Sequence, residues 1–391
     1  MVFQDIKLEN FRNYGSQTIA FHDKLNLFLG QNAQGKTNLL ESLFIMGLGK
    51  SFRTNKDSDM IAFGKDYARA VCHVTGENGE NEIDIVYQKE GKIVKVDGIK
   101  LSRSIDLLEH VYIVVFSPDD LKIIKEGPEH RRRFLDRELC QIKPVYYSDL
   151  GNYKKVLRQR NFLLREKNPD RNLFHVFDES LAEYGCRIAE ERKRFTERLQ
   201  ELSSRIHSDI SQGKEVLRLE YETKVEDKES FRYLLDQNFE SDLYKGYTGF
   251  GPHKDDLKIE VNGTDIRTYG SQGQQRTAAL SMKLAEIGLI KQETNCNAVL
   301  LLDDVLSELD SSRQRFLIES MKEIQVFMVS YDAHGRFLAL KEASLDQNGT
   351  ELDTYSAKGE IENDGSVAKV SILVLDKDKW VPLVQHKELT K

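Results

Sequence analysis

The stretch Gly30-Gln31-Asn32-Ala33-Gln34-Gly35-Lys36-Thr37 decides how the rest of this 391-residue chain is interpreted. It matches the phosphate-binding loop pattern, in which Gly, four further residues, Gly and Lys precede Ser or Thr. Leu25–Leu29 predicts a short buried strand before it, and Asn38–Phe44 predicts the start of a helix after it. Because a chance glycine-rich turn would not need these flanks, the context favours a nucleotide-binding loop.

The residue types in this loop explain how it would hold phosphate. Gly30 and Gly35 let the backbone curl so that its N–H groups point inward. The helix that follows adds partial positive charge at its N-terminus. Lys36 can reach the β- and γ-phosphates, and the hydroxyl of Thr37 can hold Mg²⁺. The sequence therefore predicts a nucleoside triphosphate and Mg²⁺ as ligands.

The composition limits the class of protein. Hydrophobic residues make up 39% of the chain and charged residues 31%, which is typical of a globular, charge-rich protein. The net charge is −7, so nucleic acid could bind only through a local basic patch. Four scattered cysteines without a C-x-x-C pair predict neither a zinc site nor a disulfide framework. We expect no secretory leader or membrane span, and a cytoplasmic location.

The hydrophobic pattern predicts an α/β fold with two lobes and a tail. Alternating strands and the phosphate helix assign residues 1–112 and 290–335 to a mixed-sheet lobe. Helical periodicity dominates residues 113–289, where an apolar stripe predicts a short arm of about 45 Å. We prefer a packed helical subdomain to a projecting rod. Residues 336–391 predict a β-rich tail, which could be an appended domain, an unrelated fusion or a strand-rich edge of the first lobe.

A second motif supplies carboxylates. Val299–Leu302 is an all-apolar strand that ends in Asp303 and Asp304. A strand buried on both faces would deliver both carboxylates at the C-terminal edge of its sheet, beside the phosphate loop. Asp303 would then hold Mg²⁺, directly or through water, and Asp304 would polarise the attacking water. The alternative is a capped buried strand without function, which the upstream phosphate loop disfavours.

Gly270–Gln275 predicts a second anion site at the start of a helix. A Ser hydroxyl, a glycine and free N–H groups occur together there. Because the phosphate loop of the same chain already serves one nucleotide, this site needs a second nucleotide. Ser307–Asp310 follows the acidic strand end, and Ser117–Leu121 joins the two predicted lobes.

These motifs occur in the order found in ABC-type ATPase heads, and the short arm and absence of transporter features resemble the SMC-like branch. Within that branch the chain resembles the RecF family of bacterial recombination mediators, over residues 1 to about 328. The resemblance is carried by Leu8–Tyr14, Gly30–Glu41, Gly251–Leu257, Gly270–Arg276 and Leu300–Asp310. It implies a nucleoid-associated, weakly ATP-hydrolysing protein that dimerises with ATP, binds DNA at single-strand gaps, and acts with RecR and RecO to load RecA.

The resemblance also implies roles for individual residues. The ATP site would consist of Gly30, Gln31, Asn32, Ala33, Gln34, Gly35, Lys36, Thr37 and Asn38. The signature that meets the partner's γ-phosphate would consist of Ser271, Gly273 and Gln274. Lys36, Asp304 and Ser271 would be the catalytic residues, and Thr37 and Asp303 the metal ligands. Asp310 matches the residue that crosses the dimer seam, whereas Ser117–Asp120 lies at the Q-loop position without a Gln.

Basic residues offer candidate DNA contacts. His130–Arg133 is the densest cluster, and further basic residues follow on helical turns. Such a patch can neutralise several phosphates even in an acidic protein. The candidates are Arg131, Arg132, Arg133, Lys154 and Lys155. Solvated helix faces and intramolecular salt bridges are the alternative explanation for such charge runs.

Three other functions use the same phosphate loop. An ATPase subunit of a transporter, or of another ATP-gated assembly, would need a fuller signature, a Q-loop Gln and a clear switch histidine. His334 could stand in for that histidine, although a lone histidine after a strand is more often structural. A cohesin-like protein would need a far longer rod. A small-molecule kinase would leave the Ser271 segment without a role.

Overall fold

The computed structural model describes residues 1–29, 35–76, 79–108, 110–167, 169–305, 309–321, 323–330, 360–363, 366–376 and 379–382. The chain forms two compact units, residues 1–119 with 290–391, and residues 120–289. The elements up to residue 119 are β1 (Val2–Phe11), β2 (Tyr14–Ala20), β3 (Leu25–Leu29), α1 (Lys36–Leu48), β4 (Tyr67–Gly76), β5 (Gly79–Gln88), β6 (Gly91–Val96), β7 (Ile99–Lys100) and β8 (Ile113–Phe116).

The remaining elements follow in chain order. Next come α2 (Lys122–Lys125), α3 (Pro128–Ile142), α4 (Pro144–Leu163), α5 (Arg171–Ser211), β9 (Leu217–Glu222), α6 (Lys228–Gln237), α7 (Phe239–Lys245), β10 (Asp256–Val261), β11 (Thr264–Asp265), α8 (Ile266–Tyr269) and α9 (Gln272–Thr294). The last are β12 (Val299–Asp303), α10 (Ser311–Ser320), β13 (Val326–Ser330), β14 (Glu360–Asn363), β15 (Ser366–Asp376) and β16 (Lys379–Pro382).

The first unit contains an antiparallel sheet with strand order β2-β1-β4-β5-β6-β7. β1 pairs with β2, and β4, β5 and β6 form an antiparallel meander, which confirms the alternating strands predicted for the first lobe. Asp97 and Gly98 form the turn between β6 and β7, both with positive φ (50° and 76°), as a tight hairpin requires. Alternate residues of these strands are buried, which places one sheet face on the core.

The second sheet of this unit positions the phosphate loop. β15, β3, β13, β12 and β8 run parallel in that order, with β14 and β16 antiparallel to β15. All five residues of β12 are buried, as expected for a central parallel strand. Because parallel strands end at the same edge, β3 and β12 deliver their following residues to one side of the sheet.

Two details differ from the sequence-based organisation, and a third selects one of its alternatives. The N-terminal strands are divided between two sheets, because β3 pairs with β13 rather than with its sequence neighbours. The unit boundary falls after Asp119 rather than after residue 112, because β8 hydrogen-bonds to β12. Of the alternatives for residues 336–391, the strand-rich edge matches the parallel pairing of β15 with β3. Within the predicted tail, residues 336–359, 364–365, 377–378 and 383–391 lie outside the described residues.

The second unit is built around α5, a helix of 41 residues. At 1.5 Å per residue this is about 60 Å, longer than predicted. Its apolar stripe packs in a core with α3, α4, α6, β9 and β10, so the preferred packed subdomain is confirmed. β11 ends at Asp265. The side chain of Asp265 accepts hydrogen bonds from the N–H groups of Arg267 and Thr268 and so caps the start of α8.

Within the described part of the chain, no helix is long and apolar enough to cross a membrane.

Candidate nucleotide-binding site

The C-terminal end of the phosphate loop is fixed by the β1–β2 turn. Gly35 has φ 93°, and a Cβ atom there would lie 2.4 Å from the amide of Asn13. The hydroxyl of Tyr14 donates a hydrogen bond to the carbonyl oxygen of Gly35 at 2.9 Å. Only glycine fits this crowded, left-handed position. Gly30, Gln31, Asn32, Ala33 and Gln34 lie outside the described residues.

The two functional side chains of the loop lie in the first turn of α1. Lys36 is 2% exposed. The hydroxyl of Thr37 donates a hydrogen bond to Oδ1 of Asp303 at 3.3 Å. Residues 266 positions apart, selected from two separate sequence motifs, therefore meet in the fold. The structure thus brings together the predicted phosphate and metal ligands Thr37 and Asp303.

The surroundings of Asp303 suit a cation. Burial raises the pKa of its carboxyl, and the negative charge of Asp304 raises this pKa further. The hydrogen bond from Thr37 and the nearby cations Arg53 and Lys36 oppose the shift without cancelling it. A buried carboxylate beside a hydroxyl is a pair of hard oxygen donors, which is the ligand chemistry that Mg²⁺ prefers. The residues present therefore fit the predicted metal.

Asp304 follows the last residue of β12 in an unusual conformation. Its φ is 54°, a left-handed value that a non-glycine residue adopts at some cost. Its N–H donates to the carbonyl oxygen of Val329 at 3.2 Å, which ties the turn to β13. Strain at a strand end is typical of positions whose side chain must point in a defined direction. The position is consistent with the predicted role beside the phosphates.

A buried ion pair behind the loop was missed by sequence reasoning. Glu41 is fully buried and accepts two hydrogen bonds from the guanidinium of Arg12, at 2.7 and 2.9 Å. Ser51 donates to the same carboxylate, and Arg53 lies 3.6 Å from it. Arg53 also donates to the side-chain oxygen of Asn38 at 2.7 Å. We call Arg12, Asn38, Glu41, Ser51 and Arg53 the clamp.

The clamp acts on predicted site residues through short contacts. The amide of Asn38 donates to the side-chain oxygen of Asn13 at 2.8 Å. The side chain of Asn13 also packs against Gly35, where it fills the place that a Cβ atom would take. Because Arg12 and Asn13 are adjacent, the Arg12–Glu41 pair holds the β1–β2 turn against the beginning of α1. The segment Leu8–Tyr14 carried the family resemblance, but its contact with Glu41 had no local sequence signal.

The signature segment starts α9 in the second unit with a reciprocal cap. The N–H of Gln274 donates to the hydroxyl of Ser271 at 3.2 Å, and the N–H of Ser271 donates to the side-chain oxygen of Gln274 at 3.0 Å. This is a capping box, which satisfies two N–H groups of a helix start. Ser271 is exposed, and Gly273 accepts a hydrogen bond from Thr277.

Asp310 caps a second helix, in the first unit. Its carboxylate accepts from the N–H of Arg313 at 3.0 Å at the start of α10. Its side chain is 54% exposed. Ser307, Glu308 and His334 lie outside the described residues. Pro118–Leu121, at the predicted Q-loop position, forms a short 3₁₀-helix.

The basic candidates differ in their surroundings. Arg131 is 5% exposed and donates to both carboxylate oxygens of Asp256, at 2.6 and 2.8 Å. The expectation that Arg131 contacts DNA is therefore corrected, because its guanidinium is committed to an internal ion pair. Arg132 donates to the carbonyl oxygen of Asp255, whereas Arg133 is exposed. Lys154 lies 3.4 Å from Asp136 and Lys155 is exposed, so both remain candidates.

A family model described as the RecF/RecN/SMC N terminal domain matches residues 2–337. The chain is 44% identical over 333 residues to the DNA replication and repair protein RecF of Clostridium novyi, covering 84% of this chain and 92% of that protein. It is 44% identical over 338 residues to the protein of the same name from Streptococcus gordonii, covering 84% and 93%.

Solved structures give the same relationship. The structure of the recombination mediator protein RecF with ATPrS, in the RecFOR pathway, superposes with a TM-score of 0.84 at 34% identity, covering 97% of this chain and 98% of that one. The corresponding structure with ATP has a TM-score of 0.83. An Smc head bound to the C-winged helix domain of ScpA has a TM-score of 0.56 at 16% identity, which shows a shared fold alone.

Proposed function

This chain belongs to the RecF family, and we propose that it is an ATP-dependent DNA-binding protein of recombinational repair and replication restart. It dimerises head to head with ATP on DNA at single-strand gaps, resets by slow hydrolysis, and helps RecR and RecO to load RecA. The observation that carries the ATP part is the hydrogen bond between Thr37 and Asp303. The names of the relatives, which describe DNA replication and repair, support the rest.

Residues of α1 and β12 bind and orient the nucleotide. The ammonium of Lys36 neutralises phosphate charge, and the N-terminus of α1 adds partial positive charge. Thr37 and Asp303 would hold Mg²⁺, and a bound Mg²⁺ would neutralise negative charge on the phosphates. The raised pKa of Asp303 favours this, because a cation restores the charged form that burial disfavours.

Asp304 orients the water that attacks the terminal phosphate. Its carboxylate follows the strand that carries the metal ligand, so one strand end supplies both functions. Phosphoryl transfer needs positioning and charge stabilisation more than covalent chemistry. Slow hydrolysis suits a switch, in which bound ATP holds one state and its loss releases it.

Ser271 supplies the second half of the site to a partner. One subunit has one phosphate loop and one exposed signature segment, so two subunits related by a two-fold axis would each lend Ser271 to the other's nucleotide. Two nucleotides then hold two heads together, and the free energy of ATP binding becomes free energy of dimerisation. Gly273 allows close approach, and Gln274 completes the segment.

DNA contacts are proposed for the exposed cations of the second unit. Arg133 and Lys155 are exposed, and Arg132 and Lys154 each keep part of their charge accessible. Such side chains contact phosphates without reading sequence, which suits a protein that recognises gaps by shape.

The test is nucleotide-dependent mass by light scattering. Ser271→Arg puts bulk and charge into the proposed seam without touching Lys36. We expect the variant to bind ATP in a calorimeter, remain monomeric with ATP and Mg²⁺, and bind gapped DNA more weakly than the wild type. Ser148→Arg, at an exposed serine of α4, is the matched control and should dimerise normally. An ATP-induced dimer of Ser271→Arg, with the wild-type concentration dependence, would contradict the composite site.

A further inference from the structure

An apolar surface lies at the turn between α4 and α5. Phe162 is 70% exposed and Val176 66%, and Leu173 is half exposed. Beside them is a pocket of about 460 Å³ lined by Lys155, Arg158, Gln159, Phe162, Leu163 and Phe177. Both helices belong to the second unit, so the surface lies within one compact body. Clustered exposure of large apolar side chains marks an interaction site more often than chance exposure does. We call this the α4–α5 patch.

The residues of the patch are arranged by helix geometry. Positions 155, 158, 159 and 162 lie on one face of α4, because residues three and four apart are neighbours on a helix. Leu173, Val176 and Phe177 have the same spacing on α5. Two adjacent stripes form a shallow groove, apolar towards the α4–α5 turn and cationic along α4. A groove of this kind accepts the apolar face of a third helix.

The cations beside the pocket are not neutralised. Within the described residues, neither Lys155 nor Arg158 has a carboxylate at ion-pair distance. Arg158 donates only to the carbonyl oxygen of Lys154. Residues 150–165 contain five Lys and Arg and no Asp or Glu. Of these, Arg160 is buried and paired with Asp178 and Asp242, at 2.6 and 2.8 Å. Of the exposed cations that remain, Lys155 and Arg158 line the pocket, where an anionic partner would meet them.

We propose that the α4–α5 patch docks an acidic amphipathic helix of a protein partner. An aromatic or large aliphatic side chain of that helix fills the pocket between Phe162 and Phe177. Carboxylates on its flank pair with Arg158 and with Lys155; because Lys155 is also a DNA-contact candidate, DNA and the partner would exclude each other at that side chain. Burial of the exposed apolar area supplies affinity, and the cations fix orientation and exclude basic partners. None of the residues of this patch belongs to the predicted ATP site or to the signature segment.

The apolar lining favours protein over DNA as the occupant. A base could stack on the ring of Phe162, but it would leave the exposed Leu173 and Val176 uncovered, whereas the apolar face of a helix packs against all three side chains. The pocket is shallow, and two of its six lining residues, Lys155 and Arg158, are cationic. A phosphate backbone would leave Val176 and Leu173 uncovered.

The test uses the full-length chain and a labelled peptide. The probe is a fluorescein-labelled helix of about 14 residues, about four turns, with Phe and Leu on one face and Glu on the flanks. A charge-reversed twin carries Lys in place of Glu. Fluorescence polarisation should detect the acidic peptide and not its twin. Phe162→Ala, and separately Lys155→Glu with Arg158→Glu, should each weaken binding about tenfold or more.

The controls separate docking from folding and from other occupants. Val145→Ala, exposed on the first turn of α4, and Lys193→Glu, exposed on α5, should bind the peptide as the wild type does. ATP binding and the melting temperature should be unchanged in every variant. Equal binding of both peptides, or of the wild type and Phe162→Ala, overturns the proposal. The proposal is also overturned if the wild type does not bind the acidic peptide and Phe162→Ala instead loses oligothymidine binding or loses the dimer seen in sedimentation.

Discussion

Glu41→Ala should loosen the phosphate loop by removing the anion of the clamp. The carboxylate is fully buried, receives two hydrogen bonds from Arg12 and one from Ser51, and has Arg53 at 3.6 Å. Removing one member of a buried pair leaves the other charge without compensation, at a cost of about 3–5 kcal/mol. The Arg12 side chain keeps 19% exposure, so we expect the lower end, about 3 kcal/mol.

The loss should reach the nucleotide, because Arg12 is adjacent to Asn13, whose amide lies against Gly35. We expect ATP affinity to fall about tenfold, equivalent to about 1.4 kcal/mol of loop ordering. Urea unfolding measures stability, and isothermal titration calorimetry measures affinity on the folded variant.

A double-mutant cycle makes the test specific. Arg12→Met with Glu41→Met removes both charges, so it should restore much of the stability that Glu41→Ala loses. Glu90→Ala, at an exposed turn between β5 and β6, is the control and should change stability by less than about 0.5 kcal/mol. If Glu41→Ala keeps wild-type stability and ATP affinity, the clamp has no role in ordering the loop.

Three further changes have defined outcomes. Lys36→Ala should abolish tight ATP binding in a calorimeter, because the phosphates lose their main cation; wild-type affinity would exclude the assigned site. Asp304→Asn should bind ATP and accumulate as a dimer, because the amide keeps the shape without the charge; wild-type phosphate release would move the catalytic role elsewhere. Burial lowers the pKa of His253 from 6.5 to about 4. Between pH 6.5 and pH 4 only the unfolded chain therefore binds a proton at His253. The free energy of unfolding should be highest above pH 6.5 and should fall by up to about 3 kcal/mol towards pH 4. His253→Asn should lose this dependence in urea titrations at different pH values.

The sequence predicted the elements whose signals are local. β3, α1 and β12 follow from a short apolar run, a loop with two glycines, and an apolar run that ends in two aspartates. Each signal lies within about ten residues, so a pattern is enough to find it. The meeting of Thr37 with Asp303 followed from the parallel-strand rule rather than from either motif alone. The proximity of Thr37 and Asp303 was therefore predictable from the two motifs and that rule taken together.

The parts that failed depend on distant partners. Arg131 lies in a dense basic run, and nothing in that run shows that Asp256 neutralises it from 125 positions away. The length of α5 was underestimated because Asp178, a polar residue on its buried face, interrupts the apolar spacing. Arg160 compensates Asp178 from another helix at 2.6 Å. Buried charge pairs cannot be found from hydrophobic periodicity, because each charged residue taken alone is typical of a surface position.

The capping box at Ser271 adds a condition to the proposed dimer. In the isolated chain the Ser271 hydroxyl oxygen accepts from Gln274, and the Gln274 side-chain oxygen accepts from the N–H of Ser271. A phosphate from a partner subunit competes for the N–H of Ser271. The Gln274 side chain must therefore move away before that N–H can donate to the phosphate. The hydroxyl proton of Ser271 stays available throughout, because the cap uses only its oxygen as acceptor. A cap of this kind contributes about 0.5–2 kcal/mol. The triphosphate of a partner can supply that amount through one charge-assisted hydrogen bond, whereas a weakly bound anion would be excluded.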